Sequence, residues 1–259
     1  MVAIGTAGIK HRLGGAHTAR TMMLTELGAL IAHCGMSPLP MEAYRAAIVD
    51  ENILGKRSAK SRTLSFRHLV DLYGLNADEL VFAGLLHFWE RDADAAPMLA
   101  FCAALARDGW LSGVAGCVLD AEEGQTVTRQ AVEERIEHLA PERLSMATRK
   151  SLAQNINSTF TQSGHLVGRV KKRRSKAQAT PAVVAYALLL AYADRARGPA
   201  TFETLYAKAL DCSRDEMLAM ADAASRRGFM RFNRVGEVME VSFPDIVSNA
   251  DLERMHEQG

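Results

Sequence analysis

The sequence is short of cysteine, of long apolar runs and, over two stretches, of any acid at all. Its four cysteines, Cys34, Cys102, Cys117 and Cys212, include no closely spaced pair. That excludes a dithiol redox motif and a thiolate zinc motif. No secretory signal is read, so free thiols in a reducing cytoplasm are expected. A membrane-spanning helix needs about 20 apolar residues. The runs at residues 22–34, interrupted by Glu26, and 182–193, set between Pro181 and Asp194, fall short of that. Each is expected to be a buried helix, and no membrane partner is expected.

Catalytic signatures are missing too. The eight histidines show no H-E-x-x-H or other metal-ligand spacing. There is no phosphate-binding G-x-x-x-x-G-K-[ST] run and no G-x-S-x-G elbow. Gly113 and Gly116 lie close together, but neither a basic residue nor a helix start follows to hold a phosphate. Asp50 and Glu51 before Lys56 have the composition of a metal-dependent nuclease centre, yet a carboxylate pair and a lysine on one helix is a common pattern. Ser163-Gly164-His165 puts a hydroxyl near an imidazole, but Gly164 already reads as a helix cap. His165 is expected to be a half-buried structural residue. No cofactor, no metal and no enzymatic activity are expected.

Charge is segregated, although the net value is only +1. Residues 52–70 hold five Lys or Arg and residues 143–193 hold nine, in both cases without one carboxylate. Residues 120–142 reverse the bias with seven acids. Such separation is the footprint of a polyanion-binding surface. The first cluster is Lys56, Arg57, Lys60, Arg62 and Arg67, interleaved with Ser58, Ser61, Thr63 and Ser65. Hydroxyls and cations together are common donors to phosphate oxygens. A solvated helix start, offset by Asp50 and Glu51, is the plainer reading of the same residues. The second cluster is Arg169, Lys171, Lys172, Arg173, Arg174 and Lys176, with Arg149 and Lys150 extending it from the preceding helix. Like charges at this density repel unless an anion or open water screens them. A disordered basic linker is the alternative.

The periodicity predicts a mainly α fold. The first ~15 residues, rich in glycine, read as loosely ordered. Helices are expected over residues 16–33, 41–52 and 58–73, then from an Asn76 capping box through Trp89, from Pro97 to about Asp108, and over residues 128–139 and 145–163. No strand is expected before residue 140. After Pro181 the order is helix, helix, helix, with a capping box at Ser213, then two alternating strands at residues 229–234 and 237–243 joined at Val235-Gly236. This is the element order of a winged helix. Two domains are expected: a helical bundle-like region at 1–140 and a helical region at 141–259 ending in the winged-helix-like unit. Residues 181–259 carry nine basic and twelve acidic residues, which is unusual for a base-reading module.

The stretch Tyr44-Arg45-Ala46-Ala47-Ile48-Val49-Asp50-Glu51-Asn52-Ile53-Leu54, followed by Arg57-Ser58 and Ser61-Arg62, resembles the BrxA-type proteins of BREX bacteriophage-exclusion systems. Leu144-Ser145-Met146-Ala147-Thr148-Arg149-Lys150-Ser151-Leu152 and Gln162-Ser163-Gly164-His165-Leu166 are similar to that family as well. The resemblance covers about half the chain and contains no catalytic motif. It implies a non-enzymatic, helical, double-stranded DNA-binding accessory protein, with the system's ATPase and DNA methyltransferase as partners. The expected binding is mainly to phosphates. The alternative is an adaptor that docks defence-complex partners without touching DNA. A nuclease with an unrecognised centre is a third reading.

Overall fold

The computed structural model of the chain describes residues 5–248 and residue 251. Helices dominate: α1 (Leu24–Cys34), α2 (Met41–Arg45), α3 (Ala59–Tyr73), α4 (Leu80–Arg91), α5 (Ala96–Arg107), α6 (Gly109–Val114), α7 (Gly116–Leu119), α8 (Arg129–Leu139), α9 (Met146–Gln162), α10 (Pro181–Ala193), α11 (Leu205–Lys208) and α12 (Arg214–Arg226). Two small antiparallel pairs complete the fold. One is β1 (Leu166–Val167) with β2 (Arg173–Arg174), and the other is β3 (Arg231–Val235) with β4 (Val238–Ser242). Several helices begin where a hydroxyl can take an open backbone amide. Ser58, Thr128, Ser145, Thr180 and Ser213 each accept from the amide three residues on. Ser213 completes the expected capping box with Glu216.

The core is organised around α10. Every residue from Ala182 to Ala191 is buried, as its all-round apolar sequence requires. It packs against α4, α5, α11 and α12. The Tyr186 hydroxyl, deep in that core, donates to the Val81 carbonyl at 2.7 Å. On the other side, α9 packs on α8 and α5 through Leu152, Ala153, Ile156 and Phe160. One cluster of buried side chains runs from Ala16 to Val247, through both expected regions. Among the described residues, no helix is long and apolar enough to cross a membrane.

Four details differ from the sequence reading. The glycine-rich start, of which residues 1–4 lie outside the described residues, is ordered from Gly5 on. Gly5 donates to Asp78 O at 2.9 Å, Lys10 to Ala106 O at 2.9 Å, and Thr6 bridges Glu79. The helix expected over 16–33 is two pieces: a 3-10 turn at Ala16–Thr18, then α1. The interruption has a cause. Met22 donates its N–H to Thr159 Oγ1 (2.9 Å) and its carbonyl accepts from the Tyr73 hydroxyl, so its N–H is not available to a helical partner, and Met23 takes a left-handed φ of 50°. Asn76 does not cap α4. Its carboxamide accepts from Asp78 N (3.1 Å) to close a turn, and the helix starts later, at Leu80. The C-terminal hairpin is present, but Val235 pairs with Val238, so its turn is Gly236-Glu237, one residue later than expected.

Glycines on α1 and α4 lead to opposite outcomes. A Cβ on Gly28 would meet nothing within 4 Å, so Gly28→Ala should stabilise by about 0.5–1 kcal/mol through helix propensity. A Cβ on Gly84 would stand 2.7 Å from Leu189 Cδ2 and 3.0 Å from Tyr186 Cε2. There, Gly84→Val should overpack the α4–α10 contact and destabilise by about 1–3 kcal/mol. Urea midpoints moving in the same direction for both variants would contradict this packing.

Candidate nucleic-acid interface

The second basic cluster is built into the fold as a strand. In β2, Arg174 pairs with Leu166 and Arg173 with Val167. The other edge of β2 is taken by residues 124–127: Gly124 N donates to Arg174 O (2.8 Å), Arg174 N to Gln125 O (2.8 Å) and Val127 N to Lys172 O (3.0 Å). The basic stretch is therefore neither a linker nor a free arm. Side chains in a strand alternate between faces, and this alternation separates neighbours of equal charge. Arg173 points out and is exposed, whereas Arg174 points in and is buried.

Arg174 is accordingly removed from the expected set of phosphate donors. Its guanidinium makes a two-pronged pair with Asp211, at 2.8 Å and 2.6 Å. Asp211 also accepts the Ala177 N–H at 2.7 Å. Burial alone would push the Asp211 carboxyl up. The hydrogen bonds from Arg174 and Ala177, with the Arg174 charge, outweigh it and hold the carboxyl below the usual range. Three further expected donors are partly neutralised. Lys56 pairs with Glu26 at 3.0 Å, Lys176 with Glu216 at 3.6 Å, and Arg149 with Glu137. Stretches without acid in the sequence are thus supplied with acids by other elements. The Lys172 ammonium is also engaged, donating to Thr161 Oγ1 and Gly168 O at 2.8 Å each.

The remaining expected residues point to solvent. Arg57, Lys60, Arg67, Lys150, Arg169, Lys171 and Arg173 are exposed, and Arg62 is half-buried. Gly168, at φ 96°, makes the tight turn between β1 and β2, where an added Cβ would collide with the Lys171 carbonyl. This turn lifts Arg169, Val170 and Lys171 to the tip, with Val170 95% exposed. The first cluster is strung along α3, where Lys60 and Tyr73 are separated by about 20 Å of helix rise. At its Tyr73 end, α3 meets the end of α9 through residues 21–22: Tyr73 bonds Met22 O, Met22 N bonds Thr159, and Gln162 bonds Thr21 at 3.5 Å. Arg20, exposed at that junction, lies in neither sequence cluster; burial first, and then the Arg20 charge, push the His68 imidazole down.

Beneath the hairpin tip, between the start of α8 and the middle of α9, lies a cleft of ≈ 680 Å³. Arg169, Lys171 and Lys172 form one side, and Asn157 and Ser158 lie on the α9 side. Asn157 lies on α9. It is 5% exposed, and its carboxamide Oδ1 has no hydrogen-bond partner.

The other arrangements considered for chemistry are dispersed or sealed. Asp50 pairs with Arg45 at 3.4 Å and Glu51 with His33 at 3.0 Å, away from the Lys56–Glu26 pair. No group of three potential metal ligands is found among the described residues. Ser163 and His165 do touch, Oγ to Nδ1, at 2.8 Å, but His165 is fully buried rather than half-buried. Its Nε2–H donates to Ala209 O at 2.9 Å, which leaves Nδ1 to accept from Ser163. Burial pushes the imidazole down to about 4, against the opposing pull of the Ala209 carbonyl and Asp211. A hydroxyl–imidazole–carboxylate series also occurs: Thr159 Oγ1 to His17 Nε2 at 2.9 Å, and His17 Nδ1 to Asp108 Oδ2 at 2.8 Å. Thr159, His17 and Asp108 all have zero exposure, and the Thr159 hydroxyl is already an acceptor for Met22 N–H. This series therefore acts as an internal tie rather than a nucleophilic centre.

Two outcomes follow from these placements. Arg174→Ala leaves the Asp211 carboxylate without its buried partner and should cost about 3–5 kcal/mol, whereas Arg173→Ala should change stability by less than about 0.5 kcal/mol; equal losses in denaturant titrations would refute the in–out alternation. For His165 the folded pKa of about 4 lies below the unfolded value. The unfolded chain then binds more protons between about pH 6.5 and 4, so stability falls as pH drops through that window. Between pH 7 and 5 this amounts to about 2 kcal/mol. His87 is pushed down to about 4 as well, so the measurement is the difference between wild type and His165→Gln, whose pH dependence should be shallower by that amount. The chain matches no protein-family model and no curated protein.

Proposed function

We propose that this chain is a double-stranded DNA-binding accessory protein, without catalysis of its own, that grips duplexes mainly through their phosphates. The observation that carries this reading is the hairpin tip. Arg169, Lys171 and Arg173 are exposed there, and none of them forms an ion pair among the described residues. The β1–β2 pair and the bonds of β2 to residues 124–127 hold the base of this turn, so little backbone freedom is lost on binding. Lys150, Arg67 and Arg20 are further exposed cations.

The order α10, α11, α12, β3, β4 supports a winged-helix-like reading of the C-terminal part. In that reading α12 would be the base-reading helix, and its charge argues against this role. Asp215 and Asp222 are exposed on it, Arg214 pairs with Glu203 at 3.5 Å, and Glu216 pairs with Lys176. A helix so balanced has little attraction for a duplex. The wing offers Arg231 and Arg234, both exposed, as backbone contacts. Sequence-independent phosphate binding is what these features favour. With the BrxA-type resemblance, the proposed setting is a BREX-like phage-defence system, with its ATPase and DNA methyltransferase as partners.

The test is binding to two unrelated duplexes at graded salt, for wild type and the Arg169→Ala/Lys171→Ala/Arg173→Ala variant. Arg174 is left intact because its loss would unfold rather than discharge the surface. Loss of up to three phosphate contacts should reduce the slope of log affinity against log salt by about 2–3, equally for both duplexes. A folded triple variant with an unchanged slope would return the hairpin to the adaptor reading.

A further inference from the structure

We propose that the tip of the β1–β2 hairpin enters the minor groove of A·T-rich duplex DNA, with Val170 against the groove floor and Arg169 and Lys171 donating to its acceptors. This deepens the duplex-binding reading and rests on it. Phosphates supply the grip, and the tip adds a preference for base composition.

A single exposed valine is ordinary on a protein surface. Val170 differs in its place. It stands at the apex of the turn, 95% exposed, between two exposed cations. The turn below it is held. Gly168 takes φ 96°, and Lys172 Nζ donates to Gly168 O and to Thr161 Oγ1 on α9 at 2.8 Å each. Val127 N donates to Lys172 O at 3.0 Å. Val167 shares the outward face of the hairpin with its cross-strand partner Arg173 and is 51% exposed. No carboxylate lines the cleft beneath the tip, so nothing there repels the phosphates that flank a groove.

The shape of the hairpin selects the groove. The major groove admits a two-stranded ribbon lying along it. Here each strand has two residues, the inward face carries the buried Leu166 and Arg174, and the outer edge of β2 is taken by residues 124–127. What remains free is the tip, a single turn that suits a groove about 6 Å wide. The chemistry selects the same groove. The side chains of Arg169 and Lys171 are donors only, and that of Val170 is apolar. At A·T pairs the floor of the minor groove carries only acceptors, adenine N3 and thymine O2, whereas a G·C pair adds the guanine 2-amino donor. None of these three side chains can accept from that amine, and a methyl group over it leaves it desolvated and unpaired. A·T tracts also narrow the groove and strengthen the negative potential that draws Arg and Lys into it. Apolar side chains set into the minor groove are a general means of gripping it. Valine is stiff about χ1, so fixing it there costs little entropy.

The experiment is fluorescence-anisotropy titration of the full chain with duplexes of equal length at graded salt: an A·T-rich duplex, the same with deoxyuridine for thymidine, a G·C-rich duplex, and the same with inosine for guanosine. Inosine removes only the minor-groove amine, and deoxyuridine only the major-groove methyl. Wild type should bind the A·T and inosine duplexes at least about fivefold more tightly than the G·C duplex, and the deoxyuridine duplex as tightly as the A·T one. Val170→Thr keeps the branched shape and should weaken A·T binding about fivefold. The loss should be the same at every salt concentration, with the salt slope unchanged, because no charge is removed. Val170→Leu should bind at least as tightly as wild type. Melting temperatures should not move, since the side chain is almost wholly in solvent. Loss of affinity on deoxyuridine substitution, with none gained from inosine, would place the tip in the major groove and overturn the proposal. Full A·T affinity in Val170→Thr, with the wild-type salt slope intact, would overturn it too and leave the phosphate reading standing. Weaker binding of Val170→Thr to phosphatidylserine vesicles, but not to duplexes, would assign the tip to a lipid surface instead. No salt-dependent binding of wild type to any duplex would remove the reading on which this inference rests.

Discussion

Asp108 uses both carboxylate oxygens to tie His17 to the start of α6 and, through the His17 ring, to α9. Oδ2 accepts the His17 backbone N–H at 3.1 Å and its ring Nδ1 at 2.8 Å, and Oδ1 accepts Trp110 N and Leu111 N, each at 3.1 Å, at the start of α6. From His17 the contact passes to Thr159 on α9, and from Thr159 to Met22. Burial opposes a charge at this position. The His17 charge and the converging donors prevail, holding the Asp108 carboxyl below its usual range. A buried polar network is stable only when every member is satisfied, which makes this tie demanding of geometry. Gly15 shows the demand directly: at φ 136°, any side chain there would overlap the Asp108 carboxylate.

That constraint positions the surface proposed for DNA. It sets the break between residues 18 and 24, and with it the junction where α3 and α9 meet. The end of α9 then supports the hairpin, since Lys172 bonds Thr161 and Gly168 O. A second tie, Arg174 to Asp211, anchors β2 to the chain just before α12. The tip cations can stay solvated because these inward groups bear the structural load. Position in the strand, rather than the type of residue, separates Arg173 from Arg174.

Much of the helical layout was legible beforehand. The helix starts expected at Ser58, Thr128 and Ser145 and the capping box at Ser213 rest on local hydrogen bonds, so residues a few positions apart revealed them, whereas the same spacing at Asn76 closes a turn instead. The all-apolar run after Pro181 could only be a buried helix, and it is. The alternating residues after Gly228 gave the hairpin, with a turn displaced by one residue. The site was less legible. The acid-free stretches were visible, but the partners of Lys56, Arg149, Lys176 and Arg174 come from Glu26, Glu137, Glu216 and Asp211, respectively 30, 12, 40 and 37 positions away. Nothing in a one-dimensional charge plot anticipates those encounters.

The sequence by itself determined the helical class, most helix starts, the C-terminal hairpin and the places where positive charge concentrates. Each of these depends on interactions among residues a few positions apart, such as caps, periodic apolar faces and strand alternation. Tertiary structure alone decided that the glycine-rich start is ordered, that residues 19–23 leave the helix, that Arg174 is internal, and that Asn157 lies unpartnered beside a basic cleft. These depend on which buried polar groups find one another across the fold. Their energies exist only once water has been excluded from around them.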